Sequence, residues 1–503
     1  MLSAGLTESQ RAVMTRLHRF FNSSDNCFIM KGYAGTGKTF LISHLTAYLE
    51  RKEIPFILAA PTGRAARMLS QKTNQPSVTI HSLIYAGADE TISSPKDIEQ
   101  TVLNFQMKKA QTPSETVFII DEASMVADTG GSSGFLNFGT GRLLCDLLDY
   151  CGLNYKAAGK RSKRKIIFVG DPAQLPPINQ SNSPALSKDY LMSEFELPAE
   201  EAQLTEVIRQ DANSGILNFA TDIRDALQED GFQFPLYKLS PQSRLIKKEN
   251  FIGEWIKVAL KNLDETAVIT WTNELALYYN RAVRHHIFKT KNDAPRKGDR
   301  ILVVNNNQHY KFLNGDIIEI KEISSDRDVR QVKNSYTGEE VMLAFRDVVV
   351  QWRDEESELN ERYCKILENM LDSKKSGLSR EEYTALRILS LEQAGIKLKR
   401  YSAKNSQKML DQKKAVDEAL KESEFHNALQ VKYGYALTCH KAQGGEWQNV
   451  FLDFSTFGSR NTEDYLRWAY TAVTRGKETL YAINIPTAET GIGSAGFRYE
   501  TVE

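Results

Sequence analysis

Residues 32–39 read GYAGTGKT, after the apolar run 27–30 and before a helix-forming stretch at 39–51. Glycines at 32, 35 and 37 allow a strand-to-helix loop whose backbone N–H groups turn onto a polyphosphate, an approach that a Cβ obstructs. The positive end of the following helix dipole faces the same anion. In such a G-x-x-x-x-G-K-[ST] loop, Gly35, Thr36 and Gly37 lend amides, Lys38 reaches the β- and γ-phosphates, and Thr39 ligands Mg²⁺. The expected cofactors are therefore ATP and Mg²⁺. The loop dictates a parallel α/β sheet around it but does not choose among kinases, GTPases, transporters and motors.

The 503 residues, 41% hydrophobic and 25% charged, suffice for three or four domains. No apolar run nears the roughly 20 residues that span a bilayer, and the opening MLSAGLTESQ lacks signal-peptide features. The cysteines at 27, 145, 151, 364 and 439 include no C-x-x-C pair, which argues against a zinc cluster or a disulfide framework. A reducing cytoplasm, or the host cytoplasm for a phage chain, is the expected location, with no membrane partner. Charges balance at 64 basic and 64 acidic, which opposes an indiscriminate nucleic-acid binder while permitting a narrow basic groove.

Taken in order, Thr7 caps a first helix, and Gln10 can pair amide-to-edge with adenine N6 and N7, favouring ATP over GTP. The buried strand 56–60 ends in Pro61-Thr62-Gly63-Arg64, placing Thr62 and Arg64 where a second ligand can meet the sheet. Residues 78–82 bring Thr79 and His81 close together. Residues 85–113 break the alternation and read as a small hairpin insertion, with Phe105 either exposed at its tip or buried. The apolar strand 116–120 is central; Asp121 at its end can hold Mg²⁺ beside Thr39, and Glu122 can orient and deprotonate water. A second such strand, 165–169, runs into GDPAQLPP, where Gln174 is placed to sense the γ-phosphate. Between them, glycine-rich 129–141 reads as a mobile surface loop and basic 159–165 as a solvated face. Arg209 and Arg475 can converge on the γ-phosphate when a second domain closes.

That second domain begins with the strand 267–270 and is interrupted. Residues 295–350 hold short β-rich runs between the Asn314-Gly315 and Thr337-Gly338 turns, as in a small barrel. Residues 354–425 are charged and Leu-spaced, without strand signals, which predicts two or three helices. The domain resumes at Val431 and carries ALTCHKAQGGEW, in which Thr438, His440 and Lys441 can donate to phosphates of a bound strand and Gly445-Glu446 can reach the ribose.

LTESQ, GYAGTGKT, AAPTGRAA, TIHS, IIDEASM, GDPAQLPPI, LTEVIR, WTN, ALTCHKAQGGEW and YTAVTRG, in this order, resemble the motifs of a superfamily 1 DNA helicase, nearest the RecD- and Dda-type branch that moves 5′ to 3′. The resemblance implies two RecA-like parallel-sheet P-loop domains: the first from 1–84 and 114–206, the second from 207–294 and 428–503. It implies a pin at 85–113, whose aromatic is Phe105, and an insertion at 295–427 made of an SH3-like barrel (296–350) and a helical tower (354–427). By it Gln10 contacts adenine, Lys38 and Thr39 hold phosphate and Mg²⁺, Asp121 and Glu122 serve metal and base, Gln174 senses the γ-phosphate, and Arg209 and Arg475 are the two arginines. Pro61, Thr62, Thr79, His81, Thr438 and His440 line the single-stranded DNA path, with Arg64 and Lys441 beside it. The expected activity is ATP-driven 5′ to 3′ translocation and unwinding by a monomer, on single strands and junctions. Replication or recombination proteins, including a single-strand binding protein, are the expected partners. A 3′ to 5′ helicase and a translocase that strips proteins without unwinding stay open. Residues 128–165 exceed the family pattern.

Overall fold

The computed structural model describes residues 5–89, 103–130, 136–159, 162–207, 215–238, 240–290, 293–334, 338–353, 358–398, 406–456 and 458–485. Two parallel sheets dominate. The first runs Ser77–Thr79, Phe56–Ala60, Val117–Ile120, Lys165–Gly170, Cys27–Gly32, Ala199–Leu204 in spatial order, every pairing parallel. Strands buried on both faces need continuous apolar runs, and Val117–Ile120 is buried at every position. The second sheet runs Ser243–Ile246, Gly476–Ile483, Trp447–Asp453, Thr266–Thr270, Ala436–Thr438, again all parallel. The chain thus forms two α/β lobes, and the phosphate loop opens from the Cys27–Gly32 strand of the first.

A third, mainly antiparallel sheet runs Ile317–Ile323, Arg300–Val303, Leu429–Tyr433, Leu359–Leu367, Glu340–Arg353, Asp328–Lys333, and the pairing of Ile317–Ile323 with Glu340–Arg353 closes five of these strands into a ring. Two sequence expectations fail here. Leu359–Leu367, inside the stretch read as helical, is a strand. Its charges are matched across the sheet, Glu361 to Lys321 at 2.6 Å and Lys365 to Asp347 at 2.7 Å, so it lacks the apolar alternation that signals β-structure. Leu429–Tyr433, assigned above to the second lobe, completes the ring before Ala436–Thr438 enters that lobe. Helices Arg380–Gln393 and Ser406–Glu422 are inserted between the ring strands Leu359–Leu367 and Leu429–Tyr433 rather than following a finished barrel.

The ring is seated on the second lobe by Arg284, 1% exposed, whose Nε and Nη2 bind Asp299 at 2.7 and 2.9 Å while its guanidinium lies 3.7 Å over the Tyr433 ring. It is tied to the first lobe by Arg67, which grips Asp316 with two nitrogens at 2.8 and 3.3 Å. A small sheet of Tyr85–Asp89, Leu103–Met107 and Leu136–Phe138 flanks the first lobe. Its third strand comes from the glycine-rich tract, so residues 136–138 of that tract are ordered sheet rather than loop. The basic tract is likewise structural at its end, since Arg164 Nη2 donates to Thr112 O at 2.8 Å and Lys165 Nζ to Ser23 O at 3.0 Å. All five cysteines are free, and among the described residues no helix is long and apolar enough to cross a membrane.

Candidate nucleotide site and strand path

Gly37 (φ 77) and Gly35 (φ 80) take left-handed backbone, which lets the loop turn into helix Lys38–Arg51. A Cβ on Gly32 would stand 2.7 Å from Thr36 Oγ1, so the loop packs tightly on itself. Lys38 Nζ donates to Gly32 O at 2.8 Å and Tyr33 O at 3.1 Å, and lies 3.9 Å from Asp171. Gln10 does not present its amide to an outer edge: it is 0% exposed, accepts from Thr7 N at 3.1 Å, and donates to Thr36 O at 3.3 Å. It buttresses the phosphate loop from beneath.

Three carboxylates face this loop from the neighbouring strand ends. Asp121 is buried and accepts from Glu122 N at 2.9 Å; burial, then the charge of Glu122, pushes its pKa up to about 7. Glu122 has φ 50, and its Oε2 is buried without a hydrogen-bond partner among the described residues. Such backbone strain beside an unpartnered carboxylate oxygen marks a position shaped for something other than stability. Asp171, wholly buried, accepts from Ala173 N at 3.0 Å, and burial raises its pKa. Gln174 follows, with its Oε1 also buried and unpartnered.

The second lobe meets this constellation through helix Glu463–Val473. Tyr470 Oη accepts from Ala34 N of the phosphate loop at 3.0 Å and donates to Asp171 Oδ2 at 2.8 Å. Thr471 Oγ1 accepts from Leu175 N at 2.8 Å, and Arg467 Nη1 donates to Pro172 O at 2.5 Å. Residues 467, 470 and 471 share one helical face, the i, i+3, i+4 spacing that puts side chains together. The sequence reading passed over Tyr470, Asp171 and Arg467, although that spacing, five residues before Arg475 in the case of Tyr470, was a usable signal. Arg475 itself is spent within its own lobe, on Thr471 O at 3.0 Å, Gly445 O at 3.3 Å and Thr474 Oγ1 at 3.2 Å. Arg209 lies outside the described residues. Glu446 pairs with Lys72 of the first lobe at 3.6 Å and with Lys477 at 3.7 Å.

Arg64, expected on the strand path, turns instead against the second lobe. Its guanidinium lies 4.2 Å over the Trp447 ring, a Cβ on Gly445 would be 2.5 Å from it, and burial pushes its pKa down to about 10. The remaining path residues stand at strand ends. Thr62 and Thr79 follow paired strands (Ala60 opposite Thr79) and cap the next helices, accepting from Ala65 N at 3.2 Å and Ser82 N at 3.1 Å. Each keeps its own O–H hydrogen to donate. In the second lobe Thr438 lies opposite Thr270, and Thr272, which the sequence reading did not single out, caps its helix through Leu275 N at 3.1 Å. Pro61 is half-buried and His440 exposed. Lys441 Nζ is buried without a partner among the described residues, and burial with nearby Lys432 lowers its pKa to about 8. His81 packs against Tyr85 and Phe138. Phe105 is half-buried and stacks on Phe138 rather than standing at an open tip.

A phosphate loop in one parallel-sheet lobe, contacted by a second such lobe, defines a two-lobed P-loop ATPase. Residues 5–132 match the AAA domain model and residues 433–483 the UvrD-like helicase C-terminal domain model. An uncharacterised protein of Acanthamoeba polyphaga mimivirus is 21% identical over 94% of this chain and 98% of its own length. The ATP-dependent DNA helicase Dda of Enterobacteria phage T4 is 25% identical over 57% of this chain and 58% of its own length. The ATP-dependent DNA helicase Pif1 of Bdellovibrio bacteriovorus is 23% identical over 65% of this chain and 70% of its own length. With the ordered motifs, these matches make the chain similar to superfamily 1 helicases of the Dda and Pif1 types.

Proposed function

We propose that the chain is an ATP-dependent DNA helicase that moves 5′ to 3′ on single-stranded DNA and unwinds duplex at junctions. The observation that carries this reading is the Tyr470 hydroxyl, which links the phosphate loop and Asp171 of one lobe to the other lobe. A group bound in that loop sits where the lobes meet, so its binding and hydrolysis alter their separation. Two lobes that each present capped threonines at strand ends then change their spacing along a shared backbone. Contacts of this kind go to phosphates and are sequence-independent and salt-sensitive.

Within this reading the lobes are RecA-like and the ring is the SH3-like insertion, interrupted before its last strand by a tower of two helices. Buried Asp121 and half-buried Glu122 form a carboxylate pair whose mutual repulsion a divalent cation relieves, which fits Mg²⁺ held by Asp121 and Thr39. When bound, Mg²⁺ neutralises charge on the transferring phosphates. Lys38 exchanges its loop carbonyls for phosphate oxygens, Glu122 accepts the proton of the attacking water, and Gln174 and Arg475 register the γ-phosphate. Polarity follows the Dda and RecD likeness, and a single-strand binding protein and other replication proteins are the proposed partners.

Strand displacement on two partial duplexes, one with a 5′ tail and one with a 3′ tail, tests the reading. Displacement from the 5′ tail alone is expected. Displacement from the 3′ tail alone overturns the polarity, and DNA-stimulated hydrolysis without displacement from either marks a translocase.

A further inference from the structure

Strand Leu136–Phe138 lies in the stretch that exceeds the family pattern, yet it pairs in parallel with Leu103–Met107 and sets Phe138 opposite Phe105. Their rings stack at 4.3 Å and 15°. Phe138 also meets His81 edge-on at 5.0 Å and Tyr85 at 5.3 Å. Rings from three separate parts of the chain therefore form one cluster, with Phe138 touching the other three.

The turn behind Phe138 is clamped. Asp146, 0% exposed, accepts from Tyr85 Oη at 2.6 Å, from Thr140 Oγ1 at 2.8 Å and from Thr140 N at 3.0 Å. Gly139, at φ 50, lies so close that a Cβ would stand 2.3 Å from the Asp146 carboxylate, and its N–H donates to Phe105 O at 2.9 Å. A two-stranded hairpin alone is marginally stable in water, and a third strand keyed by stacked rings removes that weakness. Nothing in a mobile surface loop requires a buried carboxylate with three donors.

We propose that Phe138 is a positioning residue that fixes the paired strands Tyr85–Asp89 and Leu103–Met107, the second bearing Phe105, as a rigid wedge. Through His81 it couples the wedge to helix Ile80–Ile84, so that movement of the first lobe along a strand reaches the junction as strand separation. This inference rests on the helicase reading above. A wedge that yields lets the motor run without opening duplex, whereas a fixed one makes separation obligatory at every step.

The test measures, in the full chain, strand displacement on a 5′-tailed duplex and ATP hydrolysis stimulated by single-stranded DNA. Phe138→Ala is expected to slow displacement about tenfold while kcat and the DNA concentration for half-stimulation stay within about twofold. Phe138→Tyr, which keeps the flat ring, should restore displacement; Phe138→Leu, which keeps volume without a face to stack, should not. Unchanged displacement in Phe138→Ala, or equal loss of displacement and hydrolysis in the folded Leu variant, overturns the role. If the Ala variant fails to fold, the Leu and Tyr variants decide on the same two readouts. Failure of the helicase reading looks different: the wild-type chain then hydrolyses ATP and displaces neither tail, and the wedge falls with it.

Discussion

The two lobes share a parallel-sheet plan but, where they meet at the phosphate loop, treat their polar groups in opposite ways. At the strand ends of the first lobe, Glu122 Oε2 and Gln174 Oε1 are buried without partners among the described residues, and Asp121 is pushed up towards neutrality. In the second lobe Arg475 spends its Nε, Nη1 and Nη2 on its own lobe, and Thr471 and Tyr470 hold the first lobe by directed hydrogen bonds. One lobe is arranged to receive a ligand; its companion is arranged to respond to that event. A buried polar atom left unpaired costs about 1–3 kcal/mol, and such atoms gather where binding can repay the cost.

The sharpest way to break this contrast is Arg475→Ala. If Arg475 leaves its internal partners to meet the γ-phosphate, kcat for hydrolysis falls about 10³-fold with the melting temperature little changed. If it serves only its own lobe, melting falls and kcat per folded molecule holds. Glu122→Gln should lower kcat about 10²- to 10⁴-fold while nucleotide binding, followed by fluorescence titration, persists. Loss of binding in that variant would deny it the role of base. Tyr470→Phe keeps the packing and removes the hydroxyl between Ala34 and Asp171, so kcat/KM for ATP should fall about tenfold. An unchanged value would place the coupling between lobes elsewhere. The smallest effect concerns Lys441. Burial sets its pKa near 8, so the charge that can meet a phosphate is present below that pH and lost above it. Affinity for single-stranded DNA should weaken about threefold between about pH 7.5 and about pH 9, and Lys441→Arg should flatten that dependence.

The phosphate loop, the acidic strand ends and the central strands of both parallel sheets were legible because each has a local cause: glycines where backbone must approach an anion, apolar runs where strands are buried on both faces. What escaped was set by distant partners. Leu359–Leu367 hides its strand character behind charges matched on other strands of the ring, and Arg64 looks like a surface cation until Trp447, 383 positions later in the numbering, covers it. Gln10 offers a free amide on paper and loses it to Thr7 and Thr36. Phe138 lies in a glycine-rich tract that reads as loop, and only its pairing with Phe105 gives it a task.

The Arg67–Asp316 pair joins residues 249 positions apart and bridges the first lobe to the ring. The ring passes into the second lobe's sheet within two residues, from Tyr433 to Ala436. In evolutionary terms, that pair is a place where a change at one end is harmful until the other end changes too. Positions 67 and 316 are expected to drift together among related chains, as a matched charge pair or as a pair that has lost both charges.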